Sequence, residues 1–124
     1  MYFSNRPLTK RTFAAMQQIN IPLILTSLGF EALNEIQQAS LEANAKNDNV
    51  VLLSATGSGK TLAFLLPLLE TLNPEINNVQ ALIIVPSREL AIQIDDVFRK
   101  MQTGFKVTLC YGGHKRETEE NNLK

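Results

Sequence analysis

The sequence predicts an α/β fold, a parallel sheet with flanking helices, and three observations carry that prediction. Apolar runs rich in β-branched residues recur at 50–53 (VVLL), 81–85 (ALIIV) and 106–110 (KVTLC). None alternates cleanly with polar residues, as strands covered on both faces do not. Stretches with helical spacing, 60–72 and 88–102, separate the runs. The order is therefore β-α-β-α-β, which right-handed crossovers turn into a parallel sheet. At 124 residues the chain holds one such domain at most.

Taken in order, residues 8–28 read as two short helices, the second starting near Pro22 because proline is tolerated in a first helical turn, and ended by Gly29. From Glu35 to Lys46 the spacing of Ile36, Ala39 and Ala43 gives an apolar stripe opposite Gln, Glu and Asn, the pattern of an amphipathic helix. NDN at 47–49 is a turn into the first strand. Pro67 falls inside the helix at 60–72 and should remove a backbone hydrogen bond and kink it; apolar positions continue on both sides. In the last helix Leu90, Ile94, Val97 and Met101 recur at helical spacing. IQIDD at 92–96 is thereby read as helix, with Asp95 and Asp96 on its exposed face, rather than as a strand ending in a magnesium-holding acidic pair.

Composition narrows the class. Twelve basic and twelve acidic side chains cancel, so no broad basic surface advertises nucleic acid, and none is excluded. Cys110 and His114 are each the single residue of their type, so there is neither an intrachain disulfide nor a Cys-rich metal site; both read as structural bystanders. The apolar stretch INIPLILTSLGF is too short to span a bilayer. The expectation is a soluble, cytoplasmic chain with no membrane partner.

The chemistry concentrates in SATGSGKT, residues 54–61, set between the first strand and the helix that follows. Its last three positions fit the phosphate-binding pattern G-x-x-x-x-G-K-[ST] as Gly59, Lys60 and Thr61, while Ser54 stands where the first glycine would be. A strand, a glycine-rich turn and a helix bring successive N–H groups to a helix N-terminus, which favours an anion. Gly57 and Gly59 let the backbone approach closely, Lys60 would reach the β and γ phosphates, and the Thr61 hydroxyl would coordinate Mg2+. A nucleoside triphosphate is the ligand this loop predicts; the loop alone names neither the base nor the work done.

Three further stretches join it. LGFEALNEIQ (28–37), PSRELAIQ (86–93) and YGGHKRE (111–117) stand with SATGSGKT in an order and spacing that resemble the DEAD-box family of ATP-dependent RNA helicases. In the first, the resemblance implies an adenine-reading Q motif, with Phe30 stacking on the base and Gln37 bonding its edge; Leu33 and Asn34 replace the family's usual Pro-Thr or Pro-Ser. Phe13 resembles the isolated aromatic upstream of that motif. SATGSGKT is similar to A-x-T-G-S-G-K-T, which makes Ser54, Ala55, Thr56, Gly57, Ser58, Gly59, Lys60 and Thr61 the ATP-binding loop, with Lys60 and Thr61 catalytic. PSREL is similar to P-T-R-E-L, so Pro86, Ser87, Arg88 and Glu89 would contact a single RNA strand, as would Gly112 and Gly113 of the Gly-Gly segment. From the residues alone other readings stand: Phe30 as a core aromatic, Gln37 as a solvated helix residue, Arg88 and Glu89 as ordinary surface charges, Gly112 and Gly113 as a turn. Lys115 and Arg116 with the nearby glutamates read as a solvated mixed-charge face.

The resemblance implies a RecA-like P-loop domain that is C-terminally incomplete: 1–49 a helical Q-motif region, 50–124 the core, with ATP and Mg2+ as cofactors and RNA and a second RecA-like domain as partners. The family's acidic motif and arginine finger lie beyond the Gly-Gly segment, so the 124 residues are expected to bind nucleotide weakly without turnover, and to be marginally stable. Two rivals remain at this point, a P-loop DNA helicase and a non-catalytic nucleotide-binding module. SATGSGKT, PSREL and YGGH each begin where a predicted strand ends, the edge at which open α/β sheets bind ligands.

Overall fold

The computed structural model describes residues 19–111, and these form four helices: α1 (Ile21–Leu28), α2 (Glu35–Lys46), α3 (Lys60–Thr71) and α4 (Arg88–Lys100). The predicted helix before α1, Phe13, Gly112, Gly113 and the mixed-charge stretch after them lie outside the described residues.

Each helix starts where the local chemistry allows. Asn20 caps α1, its side chain accepting the Leu23 N–H at 3.0 Å, so the helix begins one residue before the expected Pro22, which sits in the first turn. Gly29, left-handed at φ 77°, ends α1; its N–H reaches the Thr26 carbonyl and that of Phe30 the Leu25 carbonyl, a Schellman closure. Ser87 caps α4 by accepting the Leu90 N–H. Asp95 pairs with Arg99 at 2.8 Å and Asp96 with Lys100 at 2.6 Å, each a same-helix contact one turn apart. The IQIDD segment is helical as expected and Asp96 is exposed, but Asp95, expected on the exposed face, keeps its side chain only 13% exposed.

The core lies around α3. Leu62, Leu65, Leu66 and Leu69 are buried there against Ile24 of α1, Ile94 and Phe98 of α4 and Met101 just after it. A fully buried leucine contributes about 1.5–3 kcal/mol, so this one face of α3 supplies much of the apolar driving force.

The opposite face of α3 packs on α2, and here the sequence expectation needs correcting. The predicted stripe of Ile36, Ala39 and Ala43 is not the buried one: Ala39 is exposed, whereas the polar Gln37 and Ser40 are buried. The reason sits across the interface. Pro67 has no N–H, so the Ala63 carbonyl one turn earlier loses its helical donor. The Ser40 hydroxyl supplies the replacement, donating to Ala63 O. Helix α3 thereby runs through Pro67 without an orphaned carbonyl, and α2 must present a small hydroxyl residue rather than an apolar one.

The expected parallel sheet is not confirmed. Residues 50–53, 81–85 and 106–110 carry no strand pairing among the described residues. Val50 and Leu52 turn toward Phe64, Pro67 and Leu68, while Val51 and Leu53 are each 85% exposed, a period of two. Leu82 and Ile84 are exposed likewise. β-Branched composition describes fitness for a pleated surface, but a strand exists only when a neighbour exchanges ladder bonds with it.

Candidate functional site

The loop between residue 53 and α3 folds onto itself through its lysine. Lys60 Nζ donates to the carbonyls of Ser54 at 2.7 Å and Ala55 at 2.6 Å, and the Ser54 and Ser58 hydroxyls hydrogen-bond each other. Ser54, at the position of the pattern's first glycine, thus closes the loop with its side chain. Gly57 at φ 79° and Gly59 at φ 84° adopt left-handed backbone that a β-carbon disfavours. Gly59 is the N-cap of α3 and offers no side-chain cap, so the first-turn N–H groups keep their capacity for an anion. Thr61, in that first turn, leaves its hydroxyl without a hydrogen bond among the described residues. Ala55 and Thr56 lie exposed on the rim.

The start of α2 is seated against this loop. Asn34 and Gln37 form a reciprocal capping box: the Asn34 side chain accepts the Gln37 N–H and the Gln37 side chain accepts the Asn34 N–H, both at 3.0 Å. Their remaining amide donors cross to the loop. Asn34 Nδ2 donates to Ser58 O at 2.9 Å and Gln37 Nε2 to Gly59 O at 3.3 Å. A β-carbon on Gly59 would stand 2.6 Å from Gln37 Nε2 and 2.8 Å from Asn34 Nδ2, closer than real contacts allow. Gly59 is therefore favoured by its φ, and a β-carbon there would also displace the two amides lying against it.

Gln37 is only 5% exposed, which removes the reading of it as a solvated residue, and Phe30 is 53% exposed, which removes the reading of it as a core aromatic. The Schellman turn at Gly29 is what throws Phe30 outward, directly after α1. Asn34 and Ser40 were the positions that periodicity passed over. An N-x-x-Q spacing ahead of a helix is a capping signal and exposes Asn34 in the sequence; nothing local points to Ser40, whose partner is created by a proline in another helix.

At a second locus, Pro86, Ser87, Arg88 and Glu89 are all exposed at the start of α4. The Arg88 guanidinium lies 4.2 Å from the centroid of the Tyr111 ring, a cation–π contact that brings Tyr111 against the start of α4. Arg99 holds its proton more firmly than usual through its hydrogen bond with Asp95, then that residue's charge. Burial raises the Glu70 carboxyl above its ordinary range.

The sequence pattern of the DEAD/DEAH box helicase family matches residues 34–124. This chain belongs to that family. The chain is 38% identical to the ATP-dependent RNA helicase DeaD of Haemophilus influenzae over 103 residues, 81% of this chain and 17% of that protein. It is 41% identical over 91 residues to the DEAD-box ATP-dependent RNA helicase CshA of Bacillus subtilis, covering 72% of this chain and 18% of the relative. With CshB of Listeria monocytogenes it shares 38% over 108 residues, 84% of this chain and 25% of the other. The chain thus spans about a sixth to a quarter of the length of these relatives. No solved structure matches it. No helix among the described residues is long and apolar enough to cross a membrane.

Proposed function

We propose that the intact protein couples ATP binding and hydrolysis to the unwinding or remodelling of RNA, and that residues 1–124 are part of its N-terminal RecA-like ATP-binding domain, with a second RecA-like domain as partner. One observation carries the reading: the amide-bearing start of α2 seats on the carbonyls of the phosphate loop, so a base-side aromatic, Phe30, and a phosphate-side lysine, Lys60, belong to one connected piece. In this reading Phe30 stacks on adenine and Gln37 meets its edge with the amide hydrogen and lone pair it does not use within the protein. Ser54 through Gly59 wrap the phosphates with backbone N–H groups. Lys60 carries the countercharge for the transferred phosphoryl group, exchanging a carbonyl for a phosphate oxygen.

The donor chemistry suits Mg2+. The unengaged Thr61 hydroxyl is a hard oxygen ligand, and no cluster of three acidic, His or Cys side chains occurs among the described residues. A Mg2+ ion would accordingly take Thr61 together with phosphate oxygens and water, the coordination this reluctantly dehydrating cation favours. When bound, it would neutralise charge on the bridged phosphates.

Pro86, Ser87, Arg88 and Glu89, with Gly112 and Gly113, form the proposed RNA-contacting edge. Arg88 and the first-turn amides of α4 suit phosphates of a single strand, and Tyr111 keeps the guanidinium in place. The relatives' names favour RNA over the DNA-helicase rival.

The test is calorimetric titration with ADP and GDP, with Gln37→Ala and Lys60→Ala as controls. ADP is expected to bind and GDP not; Gln37→Ala should erase the preference, and Lys60→Ala should weaken ADP. Equal binding of both nucleotides would overturn the adenine reading.

A further inference from the structure

We propose that Asn34 is a positioning residue of the phosphate loop: its side-chain amide selects which way the peptide between Ser58 and Gly59 faces, and so sets the affinity for phosphate. The inference rests on the nucleotide reading above and adds a role to a residue that departs from the usual Pro-Thr or Pro-Ser of the Q motif.

A peptide unit is planar with its C=O and N–H pointing in opposite directions. Fixing a carbonyl therefore fixes the following N–H. Asn34 Nδ2 holds Ser58 O at 2.9 Å, which turns the Gly59 N–H away from α2; Gln37 Nε2 holds Gly59 O at 3.3 Å, which does the same to the Lys60 N–H. These two N–H groups open α3 and are the donors an anion would meet there. Without the tie, reorientation is cheap. Gly57 and Gly59 both sit at positive φ, and glycine visits either sign of φ at little cost, so the peptide between them and their neighbours has alternative orientations available.

The orientation of the Asn34 amide follows from its partners. Its Oδ1 faces the Gln37 N–H at 3.0 Å and its Nδ2 faces a carbonyl; the flipped amide would set acceptor against acceptor. A single side chain thus does two separable jobs, capping α2 with its oxygen and holding the loop with its nitrogen.

The two jobs can be separated by substitution. Asn34→Asp caps a helix as well as asparagine but has no N–H to donate; Asn34→Gly starts a helix nearly as well and adds no charge; Asn34→Ser has a hydroxyl that both accepts and donates. Calorimetric titration of the full-length protein with ADP and with adenosine, which lacks phosphate, reads the loop apart from the base. Asn34→Asp and Asn34→Gly should lose about five- to tenfold in ADP affinity, the scale of one hydrogen bond, with adenosine changed less than about twofold. Asn34→Ser should stay within about threefold of wild type for ADP. If both Asp and Gly variants bind ADP as wild type does, or lose ADP and adenosine equally, the loop-positioning role is overturned while the nucleotide reading survives. A folded wild-type protein that binds no ADP would overturn the nucleotide reading and this role together.

Discussion

Helix α3 has two sides that were built by different physics. Toward α1 and α4 it buries Leu65, Leu66 and Leu69 with Ile94, Phe98 and Met101, contacts whose value depends on area and fit. Toward α2 it meets Gln37 and Ser40, contacts whose value depends on which atom faces which carbonyl. The apolar side tolerates any residue of similar size and shape; the polar side does not. Stability and positioning are supplied by opposite faces of one helix. The face that positions is also the one that reaches the loop at residues 54–59.

Substitutions can test how far this division holds, and the largest stability effect should fall on the apolar side. Leu65→Ala, at a site with no exposure, should cost about 2–5 kcal/mol in denaturant unfolding. A cost under about 1 kcal/mol would mean that α3 is less central to the core than its burial indicates.

Ser40→Ala should come next. It strands the Ala63 carbonyl against a proline, and the expected cost is about 1–3 kcal/mol. The sharper version is a double-mutant cycle with Pro67→Ala, which restores a donor to Ala63 within α3. In that background Ser40→Ala should lose most of its effect, and strict additivity of the two substitutions would remove the proposed link between them.

A smaller effect is expected at Glu70, near the end of α3, where burial raises the carboxyl pKa. A raised folded-state value favours the folded chain fully at pH below the ordinary carboxylate range, and that contribution is lost as pH rises through the folded-state pKa. Glu70→Gln, neutral throughout, should therefore raise Tm at pH 7 by no more than about 2 °C and leave it unchanged near pH 4. Thermal melts at the two pH values decide the matter, and a decrease at pH 7 would contradict the sign.

Phe30→Ala should have the smallest effect on unfolding of the four, because the ring is 53% exposed. Its effect should appear in ADP affinity, by about tenfold if the ring stacks on the base. Equal losses in stability and binding would show that Phe30 supports the fold rather than the ligand.

Much of this could be read in advance, and the reasons differ by element. Gly29 after α1, Asn34 before α2 and Ser87 before α4 are local signals, since a cap is decided within four residues. The turn before α3 is equally legible, because Gly57, Gly59 and Lys60 act through backbone and side chains adjacent in the chain. The buried face of α2 was misjudged because periodicity assumes that apolar residues face inward, and here a hydrogen bond to an orphaned carbonyl outweighs the burial of Ala39. At 50–53, 81–85 and 106–110 propensity favours strands, but propensity cannot supply the lateral partner a strand needs.

The helices, their caps and the conformation open to Gly57 and Gly59 follow from the sequence, because each depends on interactions a few residues long. Only the tertiary structure decided that Asn34 and Gln37 face the loop carbonyls, that Ser40 answers Pro67, and that Arg88 lies over Tyr111. Those pairings join residues some 20 positions apart, and a hydrogen bond or ring contact forms only when packing brings both partners to within a few ångströms.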